Sequence, residues 1–360
     1  MFLRNAWYVV AKAADVAESL APCRILGEHI VLYRKESGAP AALEDACPHR
    51  KLPLSMGRRA GDAVVCGYHG LTFDAAGRCI RSPTQTRIPP NAKVRSYPIA
   101  DKWGMVWVWM GEPAQADAGK IVAIDKFDDP SWGLSSGGPM TCACNYLYLT
   151  DNLLDPTHVA FVHQTSFAAS GTEETTAQVD VKDDGVIVSR WIFDREVPPY
   201  YAALVKFEGK CDRLQHYEVR YPAVAINKSI FTPAGTGGVN KPLHKRAYVM
   251  VSYHFLTPVD DSTTAYHWLQ HRNTDPNDPE ITARIAAGAR AAFKEDRLVL
   301  EEVHRGMATT TTPHINLALD AGSLRFRREL QALIEREQGA ASARAEESPS
   351  LDNEERSHSI

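Results

Sequence analysis

The 360-residue chain lacks the features that would place it in a membrane, on a nucleic acid or in an oxidising compartment. No stretch approaches the roughly 18 apolar residues that span a bilayer. Met1-Phe2-Leu3-Arg4-Asn5 runs almost at once into Trp7-Tyr8, without the apolar run or small-residue cleavage site of a secretory signal. An excess of one charge is missing too: 40 Lys+Arg stand against 44 Asp+Glu, a formal net charge of −4. That balance gives no electrostatic case for nucleic acid or an anionic membrane. Cysteine is scarce, and seven in a chain of this length form no disulfide framework. A dinucleotide fingerprint is absent, because Gly235-Thr236-Gly237-Gly238 lacks the third glycine and the following helix. There is no plant-type C-x4-C-x2-C run either. The expectation is a soluble cytoplasmic protein whose cysteines bind metal or do redox chemistry.

What is present is an ordinary globular composition, 44% hydrophobic and 23% charged, enough for a large core in one or two domains. Residues 1–112 read as mostly β. Ile30-Val31-Leu32-Tyr33, Ala63-Val64-Val65-Cys66 and Met105-Val106-Trp107-Val108-Trp109 are rich in β-branched and aromatic residues, with turn signals such as Asp74-Ala75-Ala76-Gly77 between such runs. Residues 113–139 read as a linker. Residues 140–338 are mixed, with helices expected near 150–165, 279–307 and 322–337 and strands at Gly185–Ser189 and Tyr248–Phe255. The stretch 339–360 lacks apolar periodicity and is expected to be disordered. The fold class is therefore α+β, an all-β N-terminal domain followed by an antiparallel sheet flanked by helices.

Two loops each pair a cysteine with a histidine. Cys47-Pro48-His49 and Cys66-Gly67-Tyr68-His69 give C-x-H, sixteen intervening residues, then C-x-x-H. A structural zinc site more often groups its cysteines together and its histidines together, at wider spacing within each pair. One ligand of each kind per loop suits a [2Fe-2S] cluster in which one iron takes both thiolates and the other both imidazoles. Structural zinc and plain buried Cys and His side chains are the alternatives. Tyr68 either hydrogen-bonds near the cluster sulfurs or fills the loop.

A second group lies further on. His158 and His163 are five residues apart, about 140° around a regular helix, so joint ligation needs a helix end or a π-bulge. Otherwise one is a core and the other a surface histidine. Helical spacing then puts Phe293, Asp296, Leu300, Val303 and Met307 on one stripe, with Glu295, Arg297, Glu301 and Glu302 mostly off it. A carboxylate on an inward face must be paired with a cation or coordinate a metal. His158, His163 and Asp296 together would make a 2-His-1-carboxylate triad for Fe(II), with positions left open for O2.

On these residues the chain resembles the Rieske non-haem iron oxygenases over roughly residues 1–335. The segment 150–165 resembles the family's D-x-x-H-x-x-x-x-H motif, and Asp296 sits where the family's late iron-binding aspartate falls. The resemblance implies one [2Fe-2S] cluster, one mononuclear Fe(II), a homotrimer assembled head to tail, and electrons from NAD(P)H through a separate ferredoxin-type reductase. It implies that Asp155 bridges His69 of a neighbouring subunit to His158, although Asp before Pro is also a favoured helix cap. Asn152 would orient the iron site without binding it. Phe2–Tyr8, the Cys47–Arg50 loop and His254-Phe255-Leu256-Thr257-Pro258 look most like the vanillate and dicamba O-demethylase oxygenase components. That branch implies O-demethylation of a methoxylated aromatic acid to a phenol and formaldehyde. His254 would touch substrate or make a structural hydrogen bond; Arg190, Arg220 and Arg246 are unranked partners for the substrate carboxylate. Hydroxylation of a ring, cleavage of another aryl ether, a non-enzymatic Rieske electron carrier and a zinc-stapled binding protein are the other readings. Cys142 and Cys144 read as strand residues on one face.

Overall fold

The computed structural model describes residues 1–17, 19–83, 85–164, 167 and 174–347. Residues up to Trp109 form three small antiparallel sheets. Trp7–Lys12, Met105–Trp109 and Ile99–Lys102 make one, and Ala21–Ile25, Glu28–Arg34 and Pro40–Glu44 make another. The third joins Arg58–Ala60, Ala63–Val65, Thr72–Phe73 and Cys79–Arg81. The strands expected from β-branched and aromatic runs lie within these, and Gly77 N–H donates to Asp74 O (2.9 Å) at the expected turn.

The second half is built on an eight-stranded antiparallel sheet. Its central strands are Gly185–Arg195, Cys211–Arg220, Val224–Pro233, Tyr248–Asp260 and Thr263–Arg272. Gln178–Lys182 closes one edge, and Gly133–Ser136 and Met140–Cys142 both pair with Thr263–Arg272 at the other. The stretch expected as linker thus ends inside the sheet. A four-residue Gly-Leu-Ser-Ser strand carries too little apolar alternation to be read in advance.

Helix α1 spans Tyr146–Leu154, capped by Asn145, whose Oδ1 accepts the Leu147 N–H; α2 is a single turn, Val159–Val162. The 31-residue α3, Pro279–Thr309, starts at an Asp-Pro signal, Asp278 capping Glu280 and Ile281 N–H. Helix α4, Ala321–Glu347, runs well past residue 339, where disorder was expected. Alanines at 339–345 sustain a helix by propensity without an apolar stripe. Residues 348–360 lie outside the described residues. The α3 stripe also ends early: Phe293, Asp296 and Leu300 are buried, whereas Val303 and Met307 are exposed.

Strand alternation gives the sheet two faces with different duties. On one face Val224, Ile226, Tyr253, Phe255 and Leu269 pack against Trp7, Val9, Met105, Trp107 and Trp109 of the N-terminal domain. Trp107 meets Phe255 edge-on at 5.1 Å between ring centroids. The Trp7, Trp109 and Trp103 indoles donate to the carbonyls of Asp117, Glu112 and Val122, which ties the connecting segment to the same interface. The other face meets α1 and α3, as in the Trp268–Phe293 contact (5.4 Å).

His267 and His271 lie on the interdomain face of Thr263–Arg272, where burial pushes both imidazoles down to about 4. Their folded pKa lies below the unfolded value of 6.5, so the unfolded chain takes up protons first as the pH falls. Stability from this source is complete above pH 6.5 and is lost progressively down to about pH 4. The urea midpoint should drop through that window, and less steeply in His271→Leu; an equal slope in the two proteins would remove His271 as a cause.

Candidate metal centres and substrate cavity

The two Cys-His loops are built alike. Cys47 N–H donates to Leu52 O (2.9 Å) and Cys66 N–H to Leu71 O (2.8 Å). Each cysteine carbonyl accepts the N–H four residues on, from Lys51 (2.8 Å) and Gly70 (3.1 Å). Both of those residues have positive φ, +59° and +73°, which turns each loop back beneath its histidine. Buried Asp45 fixes the first loop by accepting from Ser55 N–H (2.7 Å) and Oγ (2.6 Å). The thiols of Cys47 and Cys66 are buried; Cys47 is pushed up by desolvation and by its neighbour Cys66. His49 and His69 are exposed at the tip, with ring centroids 4.6 Å apart. Paired thiols inside and paired imidazoles outside fit a two-iron cluster better than a single tetrahedral ion. Tyr68 lies exposed, with its ring 3.9 Å from that of His69.

His158 and His163 bracket the single turn of α2, as N-cap and C-cap. A helix this short escapes the 140° problem, because neither ligand has to sit on its regular face. From α3, Asp296 Oδ1 approaches His163 Nε2 (3.2 Å) and His158 Nε2 (3.6 Å). Ligand atoms of the three lie within 4.8 Å of one another, the one such group of His, Cys or carboxylate among the described residues. Burial alone would raise the Asp296 pKa, but His163, His158 and the Asn152 amide (Nδ2 to Oδ1, 3.2 Å) bring it below the ordinary value. The pocket therefore holds a carboxylate in its ionised form, the condition a metal ligand must meet. Two imidazoles and one carboxylate are the donor set of an open non-haem iron site.

Two further carboxylates, one of them set aside by the helical stripe and one expected as bridge or cap, stand around this triad. Glu295 Oε2 accepts from His163 Nδ1 (2.7 Å), so the residue set aside as off the stripe holds a metal-ligand candidate from behind. The acidic pair Glu295-Asp296 was the available signal. Asp155 uses its carboxylate as a cap, accepting Thr157 N–H (2.6 Å) and His158 N–H (3.2 Å), while its backbone carbonyl faces His158 Nδ1 (2.5 Å). Each carboxylate oxygen keeps a second lone pair.

Beside the triad is a cavity of about 570 Å³, counting its open mouth. Its sheet wall follows the strand register. Tyr217 pairs with Asn227, Asn227 with Ser252 and Ser252 with Gln270, one polar row across four strands. His254 lies on the same wall, 2% exposed, with Nδ1 against Tyr266 Oη (2.6 Å) and Nε2 unpartnered; burial pushes it down to about 3. Arg190, Arg220 and Arg246 do not line the cavity. Arg190 donates to Gln215 and to the carbonyls of Thr175 and Pro156, Arg220 pairs with Glu218, and Arg246 reaches the carbonyl of Lys206. The arginine in the cavity is Arg213. Cys142 and Cys144 are fully buried, with thiols raised by desolvation to about 12.

This pairing of centres recurs in known proteins. Residues 6–98 match the Rieske [2Fe-2S] domain and residues 142–336 the vanillate O-demethylase oxygenase C-terminal domain. The chain is 35% identical to the iron-sulfur subunit of a toluene-4-sulfonate monooxygenase system from Comamonas testosteroni, across 94% of this chain and 99% of that one. It is 34% identical to a vanillate O-demethylase oxygenase subunit from Pseudomonas sp. HR199, across 95% and 98%. A crystal structure of dicamba monooxygenase bound to 3,6-dichlorosalicylic acid superposes with a TM-score of 0.87 at 29% identity, covering 94% of this chain and 99% of that one. Another, with non-heme iron and dicamba, gives 0.79 at 29% identity, covering 95% and 99%. The chain is a Rieske non-haem iron oxygenase, a monooxygenase with a [2Fe-2S] cluster and a mononuclear iron. It belongs, more narrowly, with the vanillate O-demethylase oxygenase components.

Glu295→Gln should leave the fold and the cluster absorbance intact while weakening iron retention by roughly 10–100-fold, the usual effect of losing a carboxylate behind a ligating histidine. Iron loss to a chelator, followed over time, reads this directly. Unchanged retention would leave Glu295 a surface residue.

Proposed function

We propose that this chain is the oxygenase component of a multicomponent O-demethylase acting on a methoxylated aromatic acid. The observation that carries this is the joint presence of the two loops and the His158–His163–Asp296 triad beside a cavity with a polar wall. Cys47 and Cys66 would hold one iron of the cluster and His49 and His69 the other; His158, His163 and Asp296 would hold the mononuclear iron. When bound, the two centres supply stored electrons and activation of O2. In balance, an aryl methyl ether, O2, two electrons and two protons become a phenol, formaldehyde and water. No fingerprint for NAD(P)H is found in the sequence, so a separate ferredoxin-type reductase delivers the electrons.

The protein's own groups have defined tasks in this scheme. Glu295 and the Asp155 carbonyl hold the two imidazoles through their Nδ1 atoms, leaving both Nε2 atoms for the metal. Asn152 holds Asp296. The exposed His49–His69 tip suits contact with another subunit, and in a head-to-tail homotrimer Asp155 joins His69 of a neighbour to His158. The cytoplasm, where thiols stay reduced, suits a chain whose seven cysteines are all unpaired. Among the described residues no helix is long and apolar enough to cross a membrane.

Similar identities to relatives named for vanillate and for toluene-4-sulfonate make the acceptor the point to test. With a compatible reductase and NADH, methoxybenzoates should release formaldehyde in step with NADH oxidation. A hydroxylated ring or a benzylic alcohol without formaldehyde would keep the oxygenase and reject demethylation. Asp155→Asn, which retains one capping oxygen, should keep both metals by iron analysis and lose most turnover. Full activity in that variant would end the bridging role.

A further inference from the structure

Four buried polar atoms on the sheet wall of the cavity have no hydrogen-bond partner: Arg213 Nε, Asn227 Oδ1, His254 Nε2 and Gln270 Oε1. Buried polar atoms are nearly always paired, and several orphans around one cavity mark a place for a polar ligand. Arg213 decides which ligand. It is 3% exposed, yet among the described residues it has no ion pair with a carboxylate. Its Nη1 donates to Phe167 O (3.1 Å), and its Cζ lies 5.1 Å from the ring centre of Phe231 and 5.5 Å from that of Tyr201. The ring faces, the Tyr201 hydroxyl, which shares a hydrogen bond with Arg213, and one carbonyl are all uncharged and compensate a buried guanidinium only in part. Nε is left without a partner, on the planar group whose N–H donors suit a planar or tetrahedral oxyanion. Arg272 is also buried with unpartnered nitrogens, but it lines no part of this cavity.

The position fits as well. Phe167, whose carbonyl holds Arg213, places its ring 5.8 Å from that of His163. Phe167 thus touches both the guanidinium, through its carbonyl, and the triad, through its ring, and Arg213 and the triad line one cavity. His254 stands at the far end of the wall: Arg213 registers with Phe231 and Phe231 with Tyr248, six residues before His254, roughly 20 Å along the strands.

We propose that Arg213 is the anchor for the substrate's anionic group, so that the site selects aromatic monoanions, carboxylates or sulfonates, over neutral aromatics of the same shape. This rests on the reading of the enzyme as one that acts on an aromatic acid. The ring of the bound anion then lies along the polar row, and its far substituent reaches the triad.

Calorimetric binding to the oxidised, metal-loaded protein tests this without turnover. The probes are 4-methoxybenzoate, 4-methoxybenzenesulfonate and neutral 4-methoxybenzyl alcohol. Arg213→Met should weaken the preferred anion by roughly 10–150-fold, as expected for losing charge-assisted hydrogen bonds, and leave the alcohol within about 3-fold. Arg213→Lys should recover part of the loss. The anion that wild type binds more tightly identifies the acid, and either result supports the anchor. Should Arg213→Met lose its circular dichroism or cluster absorbance, Arg213→Gln replaces it with the same expectation. A wild type that prefers anions and a variant that keeps the preference, or that loses anion and alcohol alike, overturns the assignment of Arg213 alone. A wild type that prefers the alcohol overturns the aromatic-acid reading itself.

Discussion

A carboxylate buried as deeply as that of Asp296 has to be met by positive charge, and the second half of the molecule is arranged around that demand. Two histidines approach it from α2, an amide from α1, and Glu295 steadies one imidazole from the next position on α3. Each element is short or capped where this requires it. Helix α1 stops at Asp155, the chain turns through Pro156, and α2 lasts one turn so that both imidazoles face α3. The carboxylate is already below its ordinary pKa among these neighbours, so binding a cation asks for little rearrangement of charge.

The sheet makes this arrangement compatible with a second redox centre. One face takes the tryptophan-rich cluster domain, and the other carries the cavity and the helices with the His158–His163–Asp296 triad. Alternation along Tyr248–Asp260 shows the division: Tyr253 and Phe255 face the cluster domain, while Ser252 and His254 face the cavity. Backbone hydrogen bonds, and not a flexible hinge, join the two environments.

Much of this was legible from residue types alone. Cysteine and histidine in matched loops are rare enough that spacing restricts them to few chemistries, and an aspartate among apolar positions on a long helix stands out. Arg213 was not legible. Arg213, Gln215 and Tyr217 alternate as polar residues on Cys211–Arg220, a pattern that normally marks a solvent face; here they face the interior, because the interior contains a cavity. Glu295 was missed because helical periodicity describes where a Cβ points, not how far a long side chain reaches back. The Gly133–Ser136 strand and the end of α4 escaped for the opposite reason, having secondary structure without an apolar pattern in the sequence.

The two-faced sheet also bears on how such an enzyme acquires new diets. The positions that shape the cavity come from four neighbouring strands and alternate with those that hold the cluster domain. Drift at residues such as Asn227, Ser229, Ser252 or Gln270 can remodel the chamber without disturbing the electron-storing half. A lineage built this way can specialise on successive foreign compounds by point changes, while insertions in the single turn between His158 and His163 would be purged.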